Sequence, residues 1–154
     1  MSSNMDTVTN VETAEILSKY GWISVFPKHF NQIWEIEKTL PDVLCRNDNY
    51  ALSCGTSDSD IQSVMRTASQ IERVTGKPVK MICVDIANGY LDALVQKCKK
   101  IRDLMPDIIL MAGNVVTPEG MYELVHKGHV DVVKVGIGSG AACTTRLKTG
   151  VGYP

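Results

Sequence analysis

The sequence predicts an α/β fold built on a parallel sheet, and three observations carry that prediction. Apolar runs of strand length recur over residues 22–26, 50–54, 79–84, 108–112 and 130–135, separated by stretches of helical periodicity. These runs are continuous rather than alternating, the pattern of strands covered on both faces by helices. Polar and glycine-rich residues gather just past the strands' carboxyl ends: Lys28-His29, Gly55-Thr56, Asp85 to Gly89, Gly113-Asn114 and Gly136 to Cys143. An open doubly wound sheet concentrates its site near one switch point. A (β/α)8 barrel brings all such loops to one face, and five equipped loops favour the barrel.

In chain order, Asn10 caps a helix over 11–20, with Glu12 and Glu15 in its early turns, and Gly21 stops it. The strand at 22–26 reads as buried and leaves through Pro27-Lys28-His29-Phe30, before a helix over 32–40 that Pro41 ends. Polar residues 46–49 precede the strand 50–54. Gly55-Thr56-Ser57-Asp58 then turns into a helix over 59–74, broken by Gly76-Lys77-Pro78. After the strand 79–84, a helix over 91–105 carries a one-face stripe of apolar residues at 91, 94, 95, 98, 101, 104 and 105. The strand 108–112 leaves through Gly113-Asn114-Val115-Val116-Thr117. Pro118 starts a helix reaching about residue 127, and Gly128 ends it before the last strand.

Composition narrows the function. With 154 residues, 44% hydrophobic and 21% charged, the chain suits one globular core. A net charge of -1 leaves no electrostatic footprint for nucleic acid or an anionic membrane. No apolar run approaches the ~18 residues that cross a bilayer, and the first residues lack the regions of a signal peptide. Five cysteines, at 45, 54, 83, 98 and 143, form no CxxC pair and read as reduced thiols of a cytoplasmic protein, without a zinc site. Cys83 lies in an apolar run and reads as core.

The stretch richest in chemistry is Val133-Lys134-Val135-Gly136-Ile137-Gly138-Ser139-Gly140-Ala141-Ala142-Cys143-Thr144-Thr145-Arg146. Its glycines admit positive φ and close approach to a ligand, and successive N–H groups in such a turn make a concave polar site. Cys143, with Arg146 three residues on, has the setting of an activated thiolate. The alternative is a buried thiol in a tight strand-to-helix turn.

Gly136-Ile137-Gly138-Ser139-Gly140-x-x-Cys143-Thr144-Thr145-Arg146, followed by Lys148-Thr149-Gly150-Val151-Gly152-Tyr153-Pro154, resembles the active-site loop of the IMP dehydrogenase/GMP reductase family. Asp85-x-Ala87-Asn88-Gly89-Tyr90, Asn4-Met5-Asp6-Thr7 and Tyr153 lean toward the reductase form; the dehydrogenases tend to carry histidine where Asn88 stands. The resemblance spans essentially the whole chain. It implies a parallel (β/α)8 TIM barrel, incomplete here, with the five strands as about barrel strands two to six. Residues 1–154 are thus expected to be a partial barrel catalytic domain truncated at both ends, the central fragment of a longer chain.

The function implied is NADPH-dependent reductive deamination of GMP to IMP and ammonia, through a thioimidate on Cys143. Thr145 matches the position that protonates the departing ammonia, together with a glutamate later in the family chain; its alternative is a turn hydroxyl bonded to backbone. Lys28 matches a lysine associated with hydride transfer, and its alternative is a solvated surface charge. The resemblance assigns NADPH to His29, Asp85, Ile86, Ala87, Ile137 and Gly138, and GMP to Met5, Gly140, Ala141 and Cys143. Asp85 is alternatively the cap of the next helix or turn. A monovalent cation, K+ in the family, falls to the backbone carbonyls of Gly138, Gly140 and Cys143, with Arg146 adjacent. Two departures stand out, Ser139 where proline is common and Ala141 where serine is common; losing that serine hydroxyl predicts GMP binding weaker by roughly 1 kcal/mol.

For the full-length protein the resemblance implies a homotetramer. The isolated chain is expected to expose open sheet edges and apolar surface, to self-associate, and to be inactive. An IMP dehydrogenase-type oxidoreductase and a non-catalytic module that pairs with full-length subunits remain as alternatives.

Overall fold

The structure, a computed structural model, describes residues 1–30 and 48–153. The helix expected over 32–40 and Cys45 lie outside the described residues. Five strands form one parallel sheet in chain order. The chain divides into two compact units, Met1–Cys83 and Val84–Pro154.

In the first unit, helix α1 spans Val11–Ser18 and starts where the Asn10 side chain accepts the Thr13 N–H at 2.9 Å. It closes with paired bonds from Gly21 N–H to Ser18 and from Trp22 N–H to Leu17, with Gly21 at φ +69°. Glycine takes that left-handed position without a Cβ penalty. This ending corrects the reading of 22–26 as a buried strand. Trp22 spends its N–H on the helix end and is 56% exposed, so strand β1 is only Ser24–Phe26.

Strand β2, Tyr50–Cys54, has the predicted bounds, is buried at every position, and pairs in parallel with β1. Helix α2, Asp58–Thr75, opens with a reciprocal cap: Ser57 Oγ accepts the Asp60 N–H at 3.0 Å, and Asp60 accepts the Ser57 N–H at 3.2 Å. Ile61, Val64, Ala68 and Ile71 form its buried face. Ile61, Val64 and Ile71 each contribute about 1.5–3 kcal/mol by that burial. Gly76, at φ +71°, ends the helix.

Strand β3, Met81–Asp85, begins in the first unit, and Cys83 on it is fully buried as expected. In the second unit, helix α3 spans Asp92–Leu104 and buries Leu94, Cys98 and Ile101. The expected stripe is trimmed at its ends: Leu91 precedes the helix in extended backbone, Met105 follows it, and Leu91 and Leu104 are exposed. Strand β4, Ile109–Val115, runs three residues beyond the expected 108–112. Gly113 and Val115 stay paired with the next strand because a Cβ on Gly113 would come within 2.5 Å of the Lys134 carbonyl oxygen, an approach only glycine permits. Helix α4, Pro118–His126, starts with Thr117 as its cap, and strand β5, Val132–Val135, is partly exposed along its length. A short helix α5, Thr145–Thr149, follows the glycine turn. No helix of the described residues is long and apolar enough to cross a membrane.

Candidate functional site

The glycine turn leaves β5 with Gly136 at φ +120° and Gly138 at φ +60°. Ile137 is its buried anchor, and Tyr153 N–H donates to the Ile137 carbonyl at 2.8 Å, so the segment closes back on itself as an antiparallel bridge. The Arg146 stem threads this closure. A Cβ on Gly138 would lie 3.1 Å from Arg146 Cγ, and one on Gly152 would overlap the same carbon. Glycine at both positions is therefore what admits Arg146.

Within the turn, Cys143 N–H donates to the Gly140 carbonyl at 3.0 Å, and Cys143 Sγ lies 3.2 Å from Thr145 Oγ1. The thiol is half-buried. Its pKa is lowered chiefly by the Thr145 hydroxyl, then by the Thr145 N–H; burial opposes, and the charge of Arg146 adds a smaller share. The sequence pointed to Arg146 as the activating group, but the contact that does most is the threonine two residues away. The thiol donates to Thr145 Oγ1; once it ionises, the same hydroxyl and the Thr145 N–H can donate to the sulfur and so stabilise the thiolate, the nucleophilic form. The Thr145 side chain contacts the sulfur two residues back. Gly140 and Ala141 are exposed, and Gly138 is half-buried.

Asp85 ends β3, and its carboxylate accepts from Lys134 Nζ at 2.8 Å, with the two side chains 29% and 20% exposed. The aspartate thus engages a lysine of β5. Beyond it, Ile86 N–H donates to the Gly113 carbonyl at 3.0 Å, and Asn114 N–H donates to the Ile86 carbonyl at 2.9 Å. Ile86 and Ala87 remain half-buried at this edge. The Asn114 side chain donates to the Gly136 carbonyl at 2.7 Å, tying the end of β4 to the start of the glycine turn.

Lys134 and Asn114 were not singled out from the sequence. A lysine inside Val132-Val133-Lys134-Val135 is nevertheless a signal, since a cation in an apolar strand needs a partner. In the first unit, Met5 is exposed, and its carbonyl accepts the N–H groups of Val8 and Thr9 at 2.9 Å each. Lys28 is exposed and opens a 3-10 turn, Lys28–Phe30, which also contains His29.

Of the groups the resemblance assigns, the Gly140 carbonyl accepts the Cys143 N–H and the Asp85 carboxylate accepts from Lys134. Among the described residues, no cluster of three or more His, Cys, Asp or Glu has the grouping of a metal site.

Fold and comparison together define the class. The crystal structure of inosine 5'-monophosphate dehydrogenase from Legionella pneumophila superposes with a TM-score of 0.74 at 28% identity, covering 99% of this chain and 44% of that one. The five-stranded parallel sheet with its helices is part of a (β/α)8 barrel. The IMP dehydrogenase / GMP reductase domain profile matches residues 1–154, and the chain belongs to that family. It is 42% identical to human GMP reductase 2 over 156 residues, covering 100% of this chain and 42% of that protein. GMP reductase of Aliivibrio salmonicida is 43% identical over 157 residues, again with 100% of this chain and 43% of the relative covered. The chain therefore spans less than half the length of these relatives.

Proposed function

We propose that the chain is the nucleophile-bearing part of an NADPH-dependent GMP reductase. The observation that carries this reading is the Cys143–Thr145 contact of 3.2 Å, with a lowered thiol pKa, at the end of a glycine turn. In this reading the Cys143 thiolate adds to C2 of the guanine ring, forming a C–S bond. The C2–N bond then breaks, and the amine leaves as ammonia after protonation. Covalent capture divides a hard displacement into easier steps.

Thr145 Oγ1 sits beside the sulfur and so within reach of a group on the carbon bonded to it. It hands the proton on, with a more acidic group supplying it. NADPH, when bound, would supply hydride chemistry at C2; Cys143 would leave as thiolate when the C–S bond breaks, releasing IMP. Asp85, Ile86, Ala87, His29, Ile137 and Gly138 are assigned to the dinucleotide. Met5, Gly140 and Ala141 are assigned to GMP, and Lys28 to the hydride-transfer step. Backbone carbonyls of Gly138, Gly140 and Cys143, with Arg146 adjacent, would hold K+. The active protein is read as a homotetramer.

Similarity to the Legionella enzyme supports a second reading, IMP dehydrogenase chemistry, against which Asn88 and Tyr153 stand. One assay separates them. Full-length protein carrying this sequence is expected to oxidise NADPH only when GMP is present, and Cys143→Ala abolishes this. Reduction of NAD with IMP as the sole productive pair would replace the reductase with the dehydrogenase. Absence of both activities would leave the non-catalytic, subunit-pairing reading.

A further inference from the structure

We propose that Tyr90 is a positioning residue, whose phenol fastens the loop after β3 to the start of α4 and so holds the Asp85-Ile86-Ala87 edge in its cofactor-binding form. The assignment of that edge to the dinucleotide rests on the reductase reading; the fastening is independent of it. Tyr90 Oη accepts the N–H of Val116 at 2.9 Å and of Thr117 at 3.0 Å, and lies 3.2 Å from Thr117 Oγ1, to which it donates. One donor and two acceptor sites are a hydroxyl's full capacity, and all are used. Thr117 Oγ1 in turn accepts the Gly120 N–H at 3.3 Å, which caps α4.

The two residues before Tyr90 complete the device. The Asn88 side chain accepts the Tyr90 N–H at 3.1 Å and turns the chain. Gly89 N–H donates to the Asn114 carbonyl at 2.8 Å, and any Cβ on Gly89 would collide with that carbonyl. The aromatic ring has its own reserved space, since a Cβ on Gly120 would come within 2.8 Å of Tyr90 Cε1. Tyr90 is 46% exposed, so burial alone does not account for its placement; directed hydrogen bonds do. They also mark its ionisation. Burial pushes the phenol up, but the bonds with Thr117 and with the two backbone N–H groups outweigh it and leave the pKa below the ordinary value.

The test uses the full-length protein with Tyr90→Phe, Gly120→Ala and the double variant. The readouts are NADPH affinity by fluorescence titration, hydrogen exchange at Val116 and Thr117, and steady-state kinetics. Tyr90→Phe is expected to weaken NADPH binding about tenfold, the scale of one or two lost hydrogen bonds. It raises KM for NADPH in step, leaves kcat and KM for GMP within about twofold, and speeds exchange at both amides. Gly120→Ala displaces the ring and reaches the same state, so the double variant is no weaker than the worse single one. Should Tyr90→Phe not fold, Gly120→Ala carries the same comparison.

Wild-type NADPH affinity in Tyr90→Phe, with exchange accelerated, makes the phenol purely structural and overturns the proposal. Equal losses for GMP and NADPH overturn it too, since a positioning role confined to this loop does not touch GMP. A wild-type protein that neither binds NADPH nor turns over GMP sinks the reductase reading itself, and the wild type alone distinguishes that failure from the others.

Discussion

Residues 50–76 and residues 136–153 solve opposite problems. In the first stretch every residue of β2 is buried, and α2 is capped reciprocally at one end and stopped by a left-handed glycine at the other. The second has Ile137 as its buried anchor and is held by a backbone bridge and an arginine stem fitted between glycines. Stability accumulates where apolar area is removed from water. Reactivity needs a half-exposed sulfur with donors aimed at it, which a well-packed core would exclude. The comparison teaches that the two properties are separable: damage to the first stretch should cost folding, and damage to the second should cost chemistry.

Three substitutions break or sharpen that separation. The largest effect belongs to Ile71→Ala, which empties a fully buried site on α2. It is expected to cost about 2–5 kcal/mol in denaturant unfolding, while the thiol reactivity of the folded protein stays unchanged. Gly152→Ala comes next. Its Cβ overlaps the Arg146 stem, so the closure must open; turnover should fall about a hundredfold, the scale of a small misplacement of reacting groups, with little change in unfolding midpoint. The smallest is Ser57→Ala, which removes one side of the α2 cap at a cost of about 1 kcal/mol. If Gly152→Ala unfolds the protein as readily as Ile71→Ala does, the separation fails.

Much of the scaffold was legible because its signals are local. Continuous apolar runs announced the strands, and Ser57 with Gly76 bracketed α2. Errors arose where a terminus used a residue for another purpose. Trp22 looked like strand but serves the end of α1, and Leu91 and Leu104 fitted a helical period whose ends they only flank. Gly113 looked like a loop because glycine usually breaks strands, whereas here it lets two strands approach.

The site was legible as a motif and less so as physics. Cys143 and Thr145 were picked out, yet the cause of the lowered thiol pKa was assigned to Arg146, since charge is visible in sequence and hydroxyl geometry is not. The Lys134–Asp85 pair joins residues 49 apart, a separation that no local pattern encodes.

The central claim is that Thr145 makes Cys143 a nucleophile, and the pH dependence of Cys143 alkylation tests it most directly. The measurement follows each cysteine peptide by mass spectrometry, in wild type and in Thr145→Val. A lowered pKa means thiolate persists to lower pH, so the wild-type profile should rise at lower pH than that of an ordinary thiol, while buried Cys54, Cys83 and Cys98 stay unmodified in the folded protein. Thr145→Val should move the Cys143 profile up toward the ordinary range. Superimposable profiles in wild type and variant would contradict the account and return the activating role to Arg146.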